Sequence, residues 1–281
     1  MVDGFLRSRG TGRAESLVGY WSHSCLFGRP AFAVLQEAYA TARSTSSVPV
    51  ALPGAVRDEL LVLACLAPLL GTDLRAPVSS TIVATDAATG VRGSNARAGA
   101  ATAKVLLSDA RRLFAGGEFR GHDARLVGRA ELAGEDAAVP ADPVFAAKLA
   151  EWPWHVRAAY DLAHDHINYL ELRALVGLIT RRCRSSANFG LRLVALLDNQ
   201  AACGPAAEGR SSSKRLNCLL RRLCAFLLAA DVYLALKYIP SAVNPADPPS
   251  RRRYLRAWLA RMRAAVVELD PGRRGATETP C

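Results

Sequence analysis

Two short apolar runs constrain the fold of this chain more than any other feature. Residues 81–88 form a run rich in β-branched and small apolar residues that delivers a carboxylate, Asp86, toward its end. Residues 191–197 are apolar apart from Arg192 and run directly into Asp198. An apolar run of this length without polar alternation reads as a strand covered on both faces, which calls for helices around a sheet. An acid at the end of such a strand is a candidate metal ligand, although acids also end strands as ordinary turn residues.

The text between and around these runs divides into segments. Residues 1–76 read as a small helical segment: Val56, Leu60, Leu63, Ala67 and Leu70 fall on one face after the entry turn Pro53-Gly54, and 31–42 is expected to form another helix. Pro68 is expected to kink or end its helix early. The Gly- and Ala-rich stretch 90–103 gives no periodicity, 104–114 reads as helix, 125–132 as a strand and 134–143 as loop. Asn168 stands as a helix N-cap with Glu171 three residues on, and Leu172, Leu175, Val176 and Ile179 continue the helical stripe. A capping box alone would also put a Glu there. Beyond Asp198 follow a polar turn at 209–213, a helix at 214–230 and a strand at 232–239. Leu216, Leu220, Leu223 and Leu227 are its expected buried face, opposite Arg215, Arg221 and Arg222. A final turn carries Asn244, Pro245, Ala246 and Asp247.

Charge is where composition matters. Of a formal net +11, residues 181–263 hold 16 Lys and Arg against 4 Asp and Glu, a local +12, so the rest of the chain nets −1. Such asymmetry favours a polyanionic partner. The seven cysteines are odd in number and show no Cys-x-x-Cys spacing, which argues against a disulfide framework or zinc ribbon and favours a reducing, intracellular setting, cytoplasmic or nuclear. Residues 60–70 and 223–236 are too short, or too interrupted by Asp231, to span a bilayer, so no membrane partner is expected. No nucleophile elbow, P-loop or Gly-x-Gly-x-x-Gly after a strand occurs.

Four acids, Asp86, Glu171, Asp198 and Asp247, thus sit on elements that an open sheet with parallel neighbours brings to one end. Four carboxylates in one place repel one another unless cations neutralise them. Hard oxygen ligands favour Mg2+ or Mn2+, and two such ions can activate water on one side of a phosphodiester and stabilise the leaving oxygen on the other.

The motifs Val83-Ala84-Thr85-Asp86-Ala87, His166 through Ala174, Leu196-Leu197-Asp198-Asn199-Gln200, and Tyr238 through Ser241 with Asn244-Pro245-Ala246-Asp247-Pro248-Pro249-Ser250-Arg251 carry a family likeness. In that order the chain resembles the ribonuclease H domain of retroelement reverse transcriptases, of the DIRS-like, tyrosine-recombinase retrotransposon type. The resemblance covers 77–252, with 90–150 holding a candidate insertion. It makes 1–76 similar to the tail of the polymerase thumb or connection, and 253–281 a basic helical or disordered tail. It implies a ribonuclease H-like α/β fold, a mixed five-stranded sheet flanked by helices. The activity it implies is hydrolysis of the RNA strand of an RNA–DNA hybrid, within or as a fragment of a retroelement polyprotein. By the same likeness Asp86, Glu171, Asp198 and Asp247 would bind two Mg2+ (or Mn2+) ions. Asn199 and Gln200 would meet the hybrid's sugar edge, and Arg210, Ser211, Ser213 and Lys214 would meet phosphates, with a plain serine cap as the other reading of that turn. Many members carry a His shortly before the last acid, whereas 241–243 has none. Two alternatives stay open at this point: a nucleic-acid-binding copy of the same fold without chemistry, and a nuclease of the same superfamily directed at DNA.

Overall fold

The computed structural model describes residues 11–43, 52–90, 94–118 and 143–269. The strand expected at 125–132, the loop expected at 134–143 except for its last residue, and residues 270–281 of the expected tail lie outside them. The chain forms two compact units, each drawn from separate stretches: residues 1–77, 179–191 and 205–233 in the first, and 78–178, 192–204 and 234–281 in the second.

The second unit is built on β1 (Thr81–Ala88), β2 (Ala96–Lys104), β3 (Trp154–Leu162), β4 (Arg192–Leu197) and β5 (Tyr233–Tyr238). They form a mixed five-stranded sheet in the order β3-β2-β1-β4-β5. This is the α/β sheet flanked by helices that the resemblance implied. β1, β2 and β3 pair antiparallel, and β1 pairs parallel with β4. Bonds from Tyr233 N–H to Leu191 O and from Ile239 N–H to Leu197 O advance together along β4 and β5, the pattern of a parallel pair.

Side-chain alternation sorts the sheet into two faces. Ile82, Ala84, Ala101, Ala103, Val194 and Leu196 face one core with Leu149, Trp152, Val243 and Ala246. Ala87, Ala96, Ala98 and Leu162 face another with Leu170 and Ala174. The helices around the sheet are α4 (Leu107–Ala115), α5 (Pro143–Glu151), α6 (Ile167–Arg182), α7 (Gln200–Glu208), the short α9 (Asp247–Ser250) and α10 (Leu255–Leu269). The expected basic tail is therefore integrated through α10. Trp258 is buried, Leu255, Leu259 and Met262 pack on the first core, and Arg263 Nε donates to Ala150 O at 3.0 Å.

From Ala96 onward the Gly- and Ala-rich stretch is β2. Its composition is poor for an isolated strand, but β2 is hydrogen-bonded on both sides, and its small side chains let α9 lie close against it. The next strand among the described residues is β3, which no periodicity announced. Ala100 pairs with Ala158 and Ala101 with Val156, so Arg157 is an extra residue at a bulge that interrupts the period of two.

The first unit is helical, as expected for 1–76. It contains α1 (Thr11–Cys25), α2 (Gln36–Ala42), α3 (Gly54–Leu66) and α8 (Lys214–Ala229). Val56 and Leu63 are buried as the stripe predicted, and α3 gives way at Ala67–Leu69 to a 3-10 turn containing Pro68. The single helix expected at 31–42 is instead a 3-10 turn, Arg29–Val34, then α2, with the break at Leu35. The carbonyls freed there are satisfied from α8: Asn217 Nδ2 and Arg221 Nε donate to Ala33 O at 2.6 and 3.0 Å, and Arg221 Nη2 to Val34 O at 3.1 Å. Arg221 stays on the exposed side of α8 as expected, while its guanidinium also pairs with the buried Glu59 at 2.8 Å. Among the described residues no helix is long and apolar enough to cross a membrane.

Candidate metal centre

Register brings the first two acids together. β1 and β4 align Val83 with Ala195 and Ala84 with Leu196. Two residues further along each chain stand Asp86 and Asp198, so parallel pairing sets them side by side on the same face. Asp86 is not the strand-final residue, because β1 continues to Ala88. Asp198 follows the last residue of β4.

Glu171 comes from α6. That helix starts at Ile167, one residue before the expected cap Asn168, and His166 takes the capping place by accepting the Asn168 N–H on Nδ1 at 3.3 Å. Asn168 is freed to accept from Asn199 Nδ2 at 3.2 Å. The capping-box explanation of Glu171 therefore fails: the side chain is buried, accepts a hydrogen bond from the Ala87 backbone, and leaves Oε2 without a partner among the described residues. The stripe Leu172, Leu175, Val176 and Ile179 is buried as expected.

Asp86, Glu171 and Asp198 each offer an oxygen within 4.8 Å of the others. Burial, followed by the charge of Asp198, pushes the Asp86 carboxyl up to about 8, against an opposing hydrogen bond from Ser250. Burial, then the charges of Asp86 and Asp198, pushes Glu171 up to about 10. Asp198 is also raised by burial, although hydrogen bonds from Ser241 and Asn244 hold it down in part. Asn244 is fully buried and ties the site to the sheet, donating Nδ2 to Thr85 O at 3.1 Å.

Asp247 opens α9 and adds its charge to the field that raises Asp86, but it lies outside the group of three. Arg251, one turn later, forms an ion pair with Asp247 and lowers both Asp86 and Glu171. Ser250 donates its hydroxyl to Asp86 Oδ2. Ser241, Asn244, Ser250 and Arg251 surround the acids without having been singled out as functional in the sequence. Their one signal was membership of the same C-terminal motif as Asp247.

The proposed substrate contacts divide between the units. Asn199 lies beside Asp198 but acts as the cap of α7, its Oδ1 accepting from Ala202 N–H at 2.9 Å, and Gln200 opens that helix. Arg210, Ser211, Ser213 and Lys214 belong to the first unit. There the Arg210 guanidinium stacks 4.5 Å from the Tyr39 ring centroid, and Ser211 Oγ accepts from Ser213 N–H at 3.2 Å. Ser213 caps α8 through Leu216 N–H, and Lys214 pairs with Glu37 at 2.7 Å. The serine-cap reading describes this turn.

A divalent cation fits the acidic group. The donors are all carboxylate oxygens, suited to a hard ion, and their mutual repulsion is relieved by positive charge. The unpartnered Glu171 Oε2 is the kind of buried atom that a bound ion satisfies. No family model matches this chain, and no curated protein matches it either.

Proposed function

We propose that the chain is a metal-dependent endonuclease of ribonuclease H type that hydrolyses the RNA strand of RNA–DNA hybrids, and that it derives from a retroelement reverse transcriptase. The observation that carries this reading is the convergence of Asp86, Glu171 and Asp198 from a central strand, a helix and a parallel neighbouring strand. Asp86, Glu171 and Asp198 would hold Mg2+ or Mn2+, with Asp247 completing the set for a second ion. Bound there, such ions would supply a nucleophilic water and charge stabilisation for the leaving oxygen of a phosphodiester.

The protein's own part is positional. Ser241 and Asn244 orient Asp198, the Ala87 N–H orients Glu171, and the strand register fixes Asp86 against Asp198. The positive charge of 181–263 would bind the nucleic-acid backbone without reading sequence. The decisive test compares wild type with Asp198→Asn on an RNA–DNA hybrid and on duplex DNA, with and without Mg2+. Hybrid-selective, Mg2+-dependent cleavage that the variant loses while still binding hybrid supports the reading. Equal cleavage by both proteins refutes the metal assignment.

A further inference from the structure

We propose that Ser250 is a positioning residue of the metal centre, fixing the plane of the Asp86 carboxylate for metal binding; this rests on the metal-dependent reading above. Ser250 is 2% exposed, and its hydroxyl donates to Asp86 Oδ2. The same hydroxyl lies 2.8 Å from its other acceptor, Asp247 O. A hydroxyl has one proton, and an ionised carboxylate outcompetes a neutral carbonyl for it. The Ser250 hydroxyl reaches both Asp86 Oδ2 and the Asp247 carbonyl, so it ties the Asp86 carboxylate to the start of α9 and restrains it against rotation.

The sheet is built to deliver this contact. Gly99 stands directly opposite Asp86 in the β1–β2 ladder and shares its face. A Cβ at Gly99 would come within 2.4 Å of Ala246 O and 2.7 Å of Ser250 N, so the absence of a side chain is what lets α9 reach the strand. Two residues earlier on the same strand, Arg97 Nε donates to Pro249 O at 3.1 Å while Nη1 pairs with Asp161 at 2.8 Å. A clamp at Pro249 and a gap at Gly99 together set the Ser250 hydroxyl on Asp86. Outer partners of this kind orient metal-binding carboxylates, and their loss typically weakens metal affinity about 10- to 100-fold.

The experiment is direct Mn2+ binding to the full chain, read by the electron paramagnetic resonance signal of free Mn2+, for wild type, Ser250→Ala and Ser250→Thr, with thermal unfolding in EDTA alongside. Wild type is expected to bind, Ser250→Ala to bind about 10- to 100-fold more weakly at an unchanged unfolding temperature, and Ser250→Thr, which keeps the hydroxyl, to restore affinity. Wild-type affinity in Ser250→Ala overturns the role of Ser250 and leaves the metal centre standing. Equal weakening in both variants, or a fall in unfolding temperature that accompanies it, assigns Ser250 to packing and overturns the proposal. Absence of Mn2+ binding in wild type overturns it together with the proposed function.

Discussion

Replacing Glu171 by Gln is expected to stabilise the metal-free protein at alkaline pH and to abolish its stabilisation by metal. The ordinary Glu value of 4.5 is pushed up to about 10 in the folded protein, chiefly by burial and then by Asp86 and Asp198. Above the unfolded value the folded chain holds a proton that the unfolded chain has released, so stability falls as pH rises from there toward the folded value. Each pH unit in that window costs about 1.4 kcal/mol, giving a ceiling of about 5 kcal/mol between about pH 5 and about pH 9. Asp86, itself raised to about 8, keeps its own proton over much of the window and so removes one of the charges acting on Glu171. We therefore expect a net loss of about 2–4 kcal/mol.

Gln has nearly the same shape, carries no charge, and can donate its amide to Asp86 or Asp198. In EDTA, urea unfolding followed by circular dichroism is expected to give similar stabilities for the two proteins at about pH 5. At about pH 9 the variant is expected to be more stable by about 2–4 kcal/mol. Adding Mn2+ should raise only the wild type, since a ligand that binds the folded state stabilises it by mass action. A variant no more stable than wild type at about pH 9 in EDTA would refute the reasoning, because it would mean that the carboxylate is paired rather than strained.

Two further perturbations probe the packing inside each unit taken by itself. Gly99→Ala forces a methyl group to within 2.4 Å of Ala246 O, so α9 must shift; overpacking of this kind costs about 1–3 kcal/mol, and both the unfolding midpoint and Mn2+ affinity should fall. In the first unit, Glu59 accepts the Glu37 and Ala38 amides at 3.0 and 2.9 Å and pairs with Arg221 at 2.8 Å. Glu59→Ala strands those groups. With Arg221 partly exposed and screened, the loss is expected at about 2–3 kcal/mol, seen as faster amide hydrogen exchange at Glu37 and Ala38.

What the sequence made legible follows from which forces are local. β1, β4, β5 and α8 carry their patterns in their own residues, since a strand covered on both faces or an amphipathic helix announces its burial directly. β2 does not, because what holds Ala96–Lys104 extended is pairing with strands on either side, and what demands small residues is a helix about 150 positions away in the chain. β3 was hidden by its bulge at Arg157, which breaks the alternation a reader counts. At the site, Asp198 was legible from β4, whereas the role of Glu171 was ambiguous until burial and the orphaned Oε2 set a candidate ligand apart from a cap. Nothing local in the turn at Arg210 to Lys214 distinguishes a phosphate contact from a capped helix, and its partners Tyr39 and Glu37 are remote in sequence.

The glycine and alanine of β2 also bear on the geometry of the acidic group. A Cβ at Gly99 would meet the backbone of Ala246 and Ser250 on the very face that carries Asp86. Ala101 and Ala103 continue that face into the core shared with Ala246 and Val243. The small residues therefore match the space left by the segment that bears Asn244, Asp247 and Ser250. Each of those side chains in turn acts on Asp86 or Asp198, through hydrogen bonds from Asn244 and Ser250 and the charge of Asp247. Composition that weakens β2 as an isolated strand is what permits the fourth acid and its neighbours to approach the first, so the least readable stretch of the chain is bound to the geometry of its most chemically informative residues.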